Sequence, residues 1–198
     1  ITGATFGPRV PMILVEPSAT NLVDYSEDIA SNLWGKTGVS VTENAGTAPD
    51  GTVIASKIQV DSSNSFHFVG KFIPLGAAYY SFSAYLKADT AITASFFFSQ
   101  SGNNGAVFDL QSGSLISVSG TGNTASIEDV GNGWFRCVVT NNGSSDVADQ
   151  VRIGVANGAI SSFQGNETDS IYLWGAQLES GSVATSYIPT SGSTVTRA

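Results

Sequence analysis

From residue 53 onward, apolar and polar positions alternate with period two, and the alternation is broken repeatedly by Gly, Asn, Asp or Pro. That is the pattern of strands joined by tight turns. The pattern predicts strands at 53–60, 65–73, 79–87, 92–100, 106–110, 115–118, 124–130, 134–140, 151–156 and 170–178. In the segment from Tyr79 to Lys87, the residues Tyr80, Phe82, Ala84 and Leu86 share one face, and Tyr79, Ser81, Ser83 and Tyr85 share the other. The run Phe96-Phe97-Phe98 makes both faces of its strand apolar, which marks a strand in the middle of a sheet. Gly102-Asn103-Asn104-Gly105, Gly120-Thr121-Gly122-Asn123, Gly131-Asn132-Gly133 and Asn141-Asn142-Gly143 supply the turns. The best helical signal is Ser26 to Trp34, where Ser26 could cap and acidic residues follow, so a surface turn or one short helix is expected there. Strands never alternate with helical segments, and no repeat is visible. The fold class that follows is all-β: a jelly-roll β-sandwich of two antiparallel sheets with at most one short helix.

Composition narrows the function classes. Hydrophobic residues make up 41% of the 198, enough for a buried core, whereas charged residues make up only 12%. The surface must therefore be built largely from Ser, Thr, Asn, Gln and Gly. Eight basic against sixteen acidic residues give a net charge of -8, with no Lys/Arg cluster, so neither a nucleic-acid partner nor an anionic membrane is expected. No apolar run is long enough to suggest insertion into a bilayer. The single cysteine, Cys137, reads as a small buried thiol on a strand, so no disulfide framework supports the chain. Residues 1–20, with Pro8, Pro11 and Pro17, read as an extended lead-in or connector, and 21–198 as the domain proper. The first residue is not Met, so Ile1 reads as a cleavage or boundary position in a longer protein. The segment Ser186 to Thr194 reads as a turn-rich surface tail or one that runs into a neighbour.

Three stretches carry a resemblance. They are Leu14 to Asp28 (LVEPSATNLVDYSED), Ala125 to Arg136 (ASIEDVGNGWFR), and Ile171 to Glu179 (IYLWGAQLE) followed by Tyr187-Ile188-Pro189-Thr190 and Gly192 to Arg197. In this order they resemble a family of bacteriophage structural proteins found in tail fibres and other virion appendages, whose members carry domains similar to jelly-roll carbohydrate-binding modules. Asn21-Leu22 followed by Ser26-Glu27, with Trp34 downstream, also looks like the opening strand of many such modules. The resemblance implies a protein of the virion surface that meets host-surface polysaccharide or glycan. It also implies contact with other virion proteins and a homo-oligomer, a trimer by analogy with phage fibres.

A glycan site needs flat aromatic faces flanked by hydrogen-bonding groups, and the chain has 3 Trp, 6 Tyr and 11 Phe. Trp34, Trp134 and Trp174 read as anchors or packing residues. The exposed candidates are Tyr79 and Tyr85, on the polar side of their strand, with Gln100 and Asn103 as hydrogen-bonders. By analogy with carbohydrate-binding jelly rolls, a calcium ion could sit where the first and last strands meet, with Glu27 as the first-strand carboxylate and Asp28 or Glu179 assisting. A catalytic reading has little to use. His67 is the only histidine, and a lyase would have to assemble His67, Lys71 and Tyr85. No nucleophile elbow is present, no carboxylate pair is marked out, and zinc-ligand spacing is absent. The expectation is a binding domain and not an enzyme. A purely structural assembly domain is the alternative, and a polysaccharide depolymerase the third reading.

Overall fold

The structure, a computed structural model, describes residues 16–98, 104–141 and 150–198. It is a jelly-roll β-sandwich in which every paired strand is antiparallel. In chain order the strands are β1 (Ala19–Asn21), β2 (Gly35–Thr37), β3 (Val39–Gly46), β4 (Ala55–Val60), β5 (Asn64–Phe72), β6 (Tyr80–Ala88), β7 (Thr93–Phe98) and β8 (Asn104–Asp109). They continue as β9 (Ser114–Ser119), β10 (Thr124–Gly131), β11 (Trp134–Thr140), β12 (Gln150–Val155), β13 (Ser162–Gln164), β14 (Ser170–Ser180) and β15 (Val195–Arg197). One sheet has the order β10-β11-β6-β14-β4-β3. The other runs β13-β5-β12-β7-β8-β9, with β2 also paired to β5. A small third ladder joins β1 to β15.

Each of the ten strands read from alternation is present, with ends shifted by a few residues. Those without a sequence signal are β1, β2, β3, β13 and β15. Four of these have three residues each, and β3 (VSVTENAG) is mostly polar and exposed. Ser26 to Trp34 forms turns rather than a helix. Its first residue, Ser26, is buried and bonded to the C-terminal segment, so it cannot serve as a solvent-facing cap.

The period-two pattern places the core between the sheets. Phe82, Ala84 and Leu86 of β6, Cys137 and Val139 of β11, and Ile171, Leu173 and Leu178 of β14 point inward from one side. Val69, Phe96, Phe98, Phe108, Val151, Ile153 and Val155 meet them from the other. Phe82 touches Phe96 and Phe98 at ring-centroid distances of 5.2 and 6.1 Å. Burial of the Cys137 thiol pushes its pKa up, which makes it an inert packing group. The strand carrying Phe96-Phe97-Phe98 lies inside its sheet, between β12 and β8, as its two apolar faces require. The turn from β10 to β11 uses left-handed backbone at Gly131, Asn132 and Gly133, and the Asp129 carboxylate accepts a bond from the Gly131 N–H at 2.8 Å.

The described end of the lead-in belongs to the fold. Residues 19–21 form β1, and Glu16 pairs with Arg197 at 2.7 Å and accepts a bond from the Ser186 N–H at 2.9 Å. The domain therefore begins before residue 21. The C-terminal segment also differs from a surface tail: Thr185, Ile188 and Thr190 are buried.

Candidate functional site

The two sheets have very different outer surfaces, and the residues singled out from the sequence divide between them. On the six-stranded sheet, alternation turns Tyr85 of β6, Trp134 and Arg136 of β11, and Trp174, Gln177 and Glu179 of β14 away from the core. Solvent does not reach most of them. Trp134, Trp174, Ala48 and Ala55 form a second apolar cluster, with Tyr85, Tyr172 and Tyr187 packed against it. Trp174 lies 4.7 Å from the Tyr187 ring and 5.2 Å from the Tyr85 ring. At Gly175 the backbone adopts φ +65 within a bulge, and a Cβ there would meet Tyr85 at 3.1 Å, so this position requires glycine.

Polar side chains fasten the chain ends over this cluster. Buried Asn21 donates to the carbonyls of Ala176 and Ile188 and accepts from the N–H groups of Val23 and Leu178. The Ser26 hydroxyl lies 2.6 Å from the Tyr187 hydroxyl and accepts from the Thr190 N–H, whose own hydroxyl donates to the Val23 carbonyl. The Gln177 amide donates to Glu179 and accepts from the Ile188 N–H. Arg136 donates to the Thr185 carbonyl and stands over the Tyr85 ring. The three resembling stretches thus meet in one network that closes the scaffold. Burial pushes the Tyr187 phenol well up, which removes it as a base.

The expected site residues fare as follows. Tyr79 is exposed, just before β6, and its carbonyl accepts the Gly181 N–H at 2.8 Å. Tyr85 is not an open stacking platform. It is partly buried between Trp174, Tyr187 and Arg136, and burial raises its pKa against the pull of Arg136. Tyr79 lies immediately before β6, the strand that carries Tyr85. Gln100 and Asn103 lie outside the described residues.

For calcium, Glu179 is buried and spends its oxygens on Gln177 and on the N–H and hydroxyl of Thr185. Glu27 accepts the Tyr187 hydroxyl at 3.0 Å, and Asp28 accepts the Ser31 N–H at 3.0 Å. Glu27 and Asp28 line one depression with Glu43 and Asn44, away from Glu179. Among the described residues no three carboxylate, imidazole or thiolate side chains converge where a metal could be held. Glu179 thus stands in a different set of contacts from Glu27 and Asp28.

The lyase set also stays apart. His67 and Lys71 belong to β5, and Tyr85 belongs to the opposite sheet. His67 is buried, with its ring nitrogens 2.7 Å from the Gly38 carbonyl and 3.0 Å from the Phe163 carbonyl. Lys71 is buried against Asp24 at 2.7 Å, with the Tyr25 ring 5.5 Å away. Both are structural ties.

The outer face of the seven-stranded sheet is open along β5, where Phe66 and Phe72 are exposed, whereas Ser95 and Phe97 of β7 are buried. On β5, His67, Val69 and Lys71 point inward, which leaves Phe66, Phe68, Gly70 and Phe72 outside. Register brings Arg152 of β12 between Gly70 of β5 and Phe97 of β7, and sets Gly154 opposite Phe68. Gly105 of β8 lies opposite Phe97. These three glycines make room for the rings. A Cβ at Gly70 would meet Phe68 at 3.1 Å, one at Gly154 would meet it at 2.9 Å, and one at Gly105 would meet Phe97 at 2.5 Å. The phenyl groups can therefore lie close along the sheet. The Arg152 guanidinium sits 4.4 Å from the Phe68 ring centroid, and its Nε donates to Gln150 at 2.8 Å. Phe66, Phe68, Ser95, Phe97, Arg152 and Ser161 line a shallow depression. Phe72 at the end of β5 is 61% exposed and Phe66 is 37% exposed.

Sequence reasoning missed this face. Its available signal was three phenylalanines at period two in Phe66 to Phe72, interrupted by Gly70. The inward side of that strand carries His67 and Lys71, so polarity gave the wrong hint about which face was buried.

No family model matches the chain, and no curated protein matches it. Among solved structures it is similar to the CBM22-1–GH10 modules of a Clostridium thermocellum xylanase complexed with xylohexaose, at 14% identity and TM-score 0.46, covering 85% of this chain and 29% of that one. It is also similar to the enzymatically active domain of tailspike protein 4 from bacteriophage CBA120, at 16% identity and TM-score 0.42, over 80% and 21% of the two chains. A third similarity is to the CBM22-1 xylan-binding domain of Paenibacillus barcinonensis Xyn10C, at 10% identity and TM-score 0.43, over 83% and 94%. The chain thus spans under a third of the length of the first two.

Proposed function

We propose that this domain binds glycans through the outer face of the seven-stranded sheet and serves as a host-facing or decorating module of a bacteriophage virion, without catalysis of its own. The observation that carries the binding reading is the Phe66, Phe68, Phe97 and Arg152 surface. Phenyl rings kept close to a sheet by opposing glycines offer flat apolar plates. Sugar C–H groups stack on such plates, while the half-buried Arg152 and Ser161 beside them can bond ring hydroxyls. The resemblance of stretches 14–28, 125–136 and 171–197 to phage appendage proteins supports the virion placement. His67 and Lys71 are sequestered in structural bonds, which favours binding over bond cleavage.

The test is a screen of the folded domain on an array of bacterial surface polysaccharides, beside a Phe68→Ala variant. Selective binding that is lost in the variant supports the reading. A blank array from a folded protein moves the domain to its second reading, an assembly element. That reading has an observation of its own. Leu115, Ile116 and Val118 of β9 and Val130 of β10 are half-exposed on two adjacent edge strands, as suits packing against another subunit. Light scattering of wild type and an Ile116→Lys variant reads it out, and loss of a defined oligomer in the variant supports it.

A further inference from the structure

We infer that the Arg152 face takes an acidic saccharide, its ring laid on the phenylalanine rings and its anionic group held by the free end of the guanidinium. This inference rests on the glycan-binding reading above and deepens it to a ligand class.

Arg152 is a half-buried cation without a counterion among the described residues. Its Nε is bonded to the neutral amide of Gln150. No carboxylate among the described residues lies within ion-pair distance of it, whereas Lys57, Lys71 and Arg197 each have one at 2.6–2.7 Å. Burial alone acts on its titration and lowers its pKa, with no compensating negative charge. A desolvated charge without a partner is costly, and folding would ordinarily supply one from sixteen acidic residues. Of the other cations on this sheet, Lys71 of β5 points inward to Asp24, and Lys36 of β2 donates to the carbonyls of Ala30, Ser31 and Trp34. Arg152 is thus the cation of this face left for a ligand.

The geometry favours recognition over accident. The Gln150 bond and the Phe68 stacking fix the plane of the guanidinium, and the two terminal nitrogens form a rigid fork suited to two oxygens of a carboxylate or phosphate. Gly70, directly across on β5, has no side chain of its own, and the Gln150 amide and the Phe68 ring close over it at 2.7 and 3.1 Å from where a Cβ would stand, which packs the two groups that hold the guanidinium. The net charge of -8 opposes long-range attraction of polyanions. The inference is therefore one close contact per binding register, with a shallow dependence on salt, and not an electrostatic groove.

The experiment is retardation of the native domain in gels containing defined polymers, followed by titration calorimetry. Polygalacturonate is compared with its carboxyl-reduced form, phosphomannan with neutral mannan, and polyglutamate serves as a non-sugar polyanion. Expected is binding to polygalacturonate or phosphomannan at least tenfold tighter than to its uncharged counterpart, and the polymer bound tells carboxylate from phosphate. Arg152→Gln should remove that preference while leaving residual affinity for the neutral polymer. Arg152→Lys should restore only part of it, because the fork is lost. Equal affinity for charged and uncharged forms overturns the acidic class but leaves glycan binding standing. Equal retardation by polyglutamate overturns it as mere charge attraction. No retardation by any polysaccharide, with the fold intact by circular dichroism, overturns the glycan reading itself.

Discussion

The two outer faces of this sandwich are built from similar materials and used in opposite ways. Both carry aromatic rings and an arginine stacked on one of them: Arg136 over Tyr85, and Arg152 over Phe68. On the six-stranded sheet the chain's own ends cover the rings, and a backbone carbonyl takes up the arginine. On the seven-stranded sheet Phe66 and Phe68 stay partly open, and among the described residues the arginine's only side-chain bond is to the neutral Gln150 amide. The same chemistry is structural where the protein supplies the partner, and available to a ligand where it does not. Many of the residues that make the sequence recognisable, Ser26, Trp134, Arg136, Trp174, Gln177 and Tyr187 among them, lie in the covered face, so that part of the resemblance reports how the scaffold is closed.

The sharpest way to break this comparison is Trp174→Ala. Removing a buried indole between Tyr85 and Tyr187 should cost about 3–5 kcal/mol in urea unfolding. A wild-type midpoint would mean that the covered face is not part of the scaffold. Asn21→Ala comes next. It strips partners from two buried carbonyls and two N–H groups at once, and a loss of about 3 kcal/mol is expected by the same measurement. His67→Ala should cost about 2 kcal/mol, because a buried ring packed on Phe163 and its bonding to the Gly38 and Phe163 carbonyls are lost, although the Gly38 carbonyl keeps the Asp61 N–H. If instead it leaves stability intact and abolishes polysaccharide cleavage, His67 is catalytic after all. On the open face, Phe66→Ser should change stability by no more than about 0.5 kcal/mol while weakening glycan binding in calorimetry.

The smallest effect concerns pH. The Lys57 hydrogen bond, at 2.6 Å and against a smaller cost of burial, holds the Asp89 carboxyl below its ordinary 3.8. The same bond holds the Lys57 ammonium above its ordinary 10.5. The Asp89 contribution is thus present above the unfolded carboxylate value and is lost as pH falls through the lower folded one. The Lys57 contribution is complete below 10.5 and is lost as pH rises through the higher folded value. Asp89→Asn should flatten the fall of Tm below about pH 4 only slightly, because the pair is partly solvated. A steep change there would mark the pair as a main tie between β4 and the β6–β7 turn.

Much of the fold was legible because a strand writes its environment into alternate residues. Tyr80 to Ala88 shows this: Phe82, Ala84 and Leu86 entered the core as their spacing requires. The short strands β1 and β15 carried no such signal, since three residues are too few for a period. Their pairing depends on where the long strands leave the two ends. Tyr85 was misplaced as an exposed platform because alternation tells which side of a sheet a residue faces and cannot tell whether another segment covers that side. Glu179 was offered to a metal on chemistry that suited it, yet local return of the chain at Thr185 satisfied its oxygens first.

The amino-acid sequence by itself determined the all-β class, most strands and the inward set of apolar side chains, since these follow from nearest-neighbour spacing and burial free energy. The stretches that carry the resemblance include Asn21, Trp174 and Tyr187, without revealing their purpose. Tertiary structure alone decided which outer face is closed. Contacts between residues more than 150 positions apart, such as Asn21 with Ile188 and Ser26 with Tyr187, draw both chain ends over one sheet. The ends can cover only one side, and so Phe66, Phe68 and Arg152 are left open on the other.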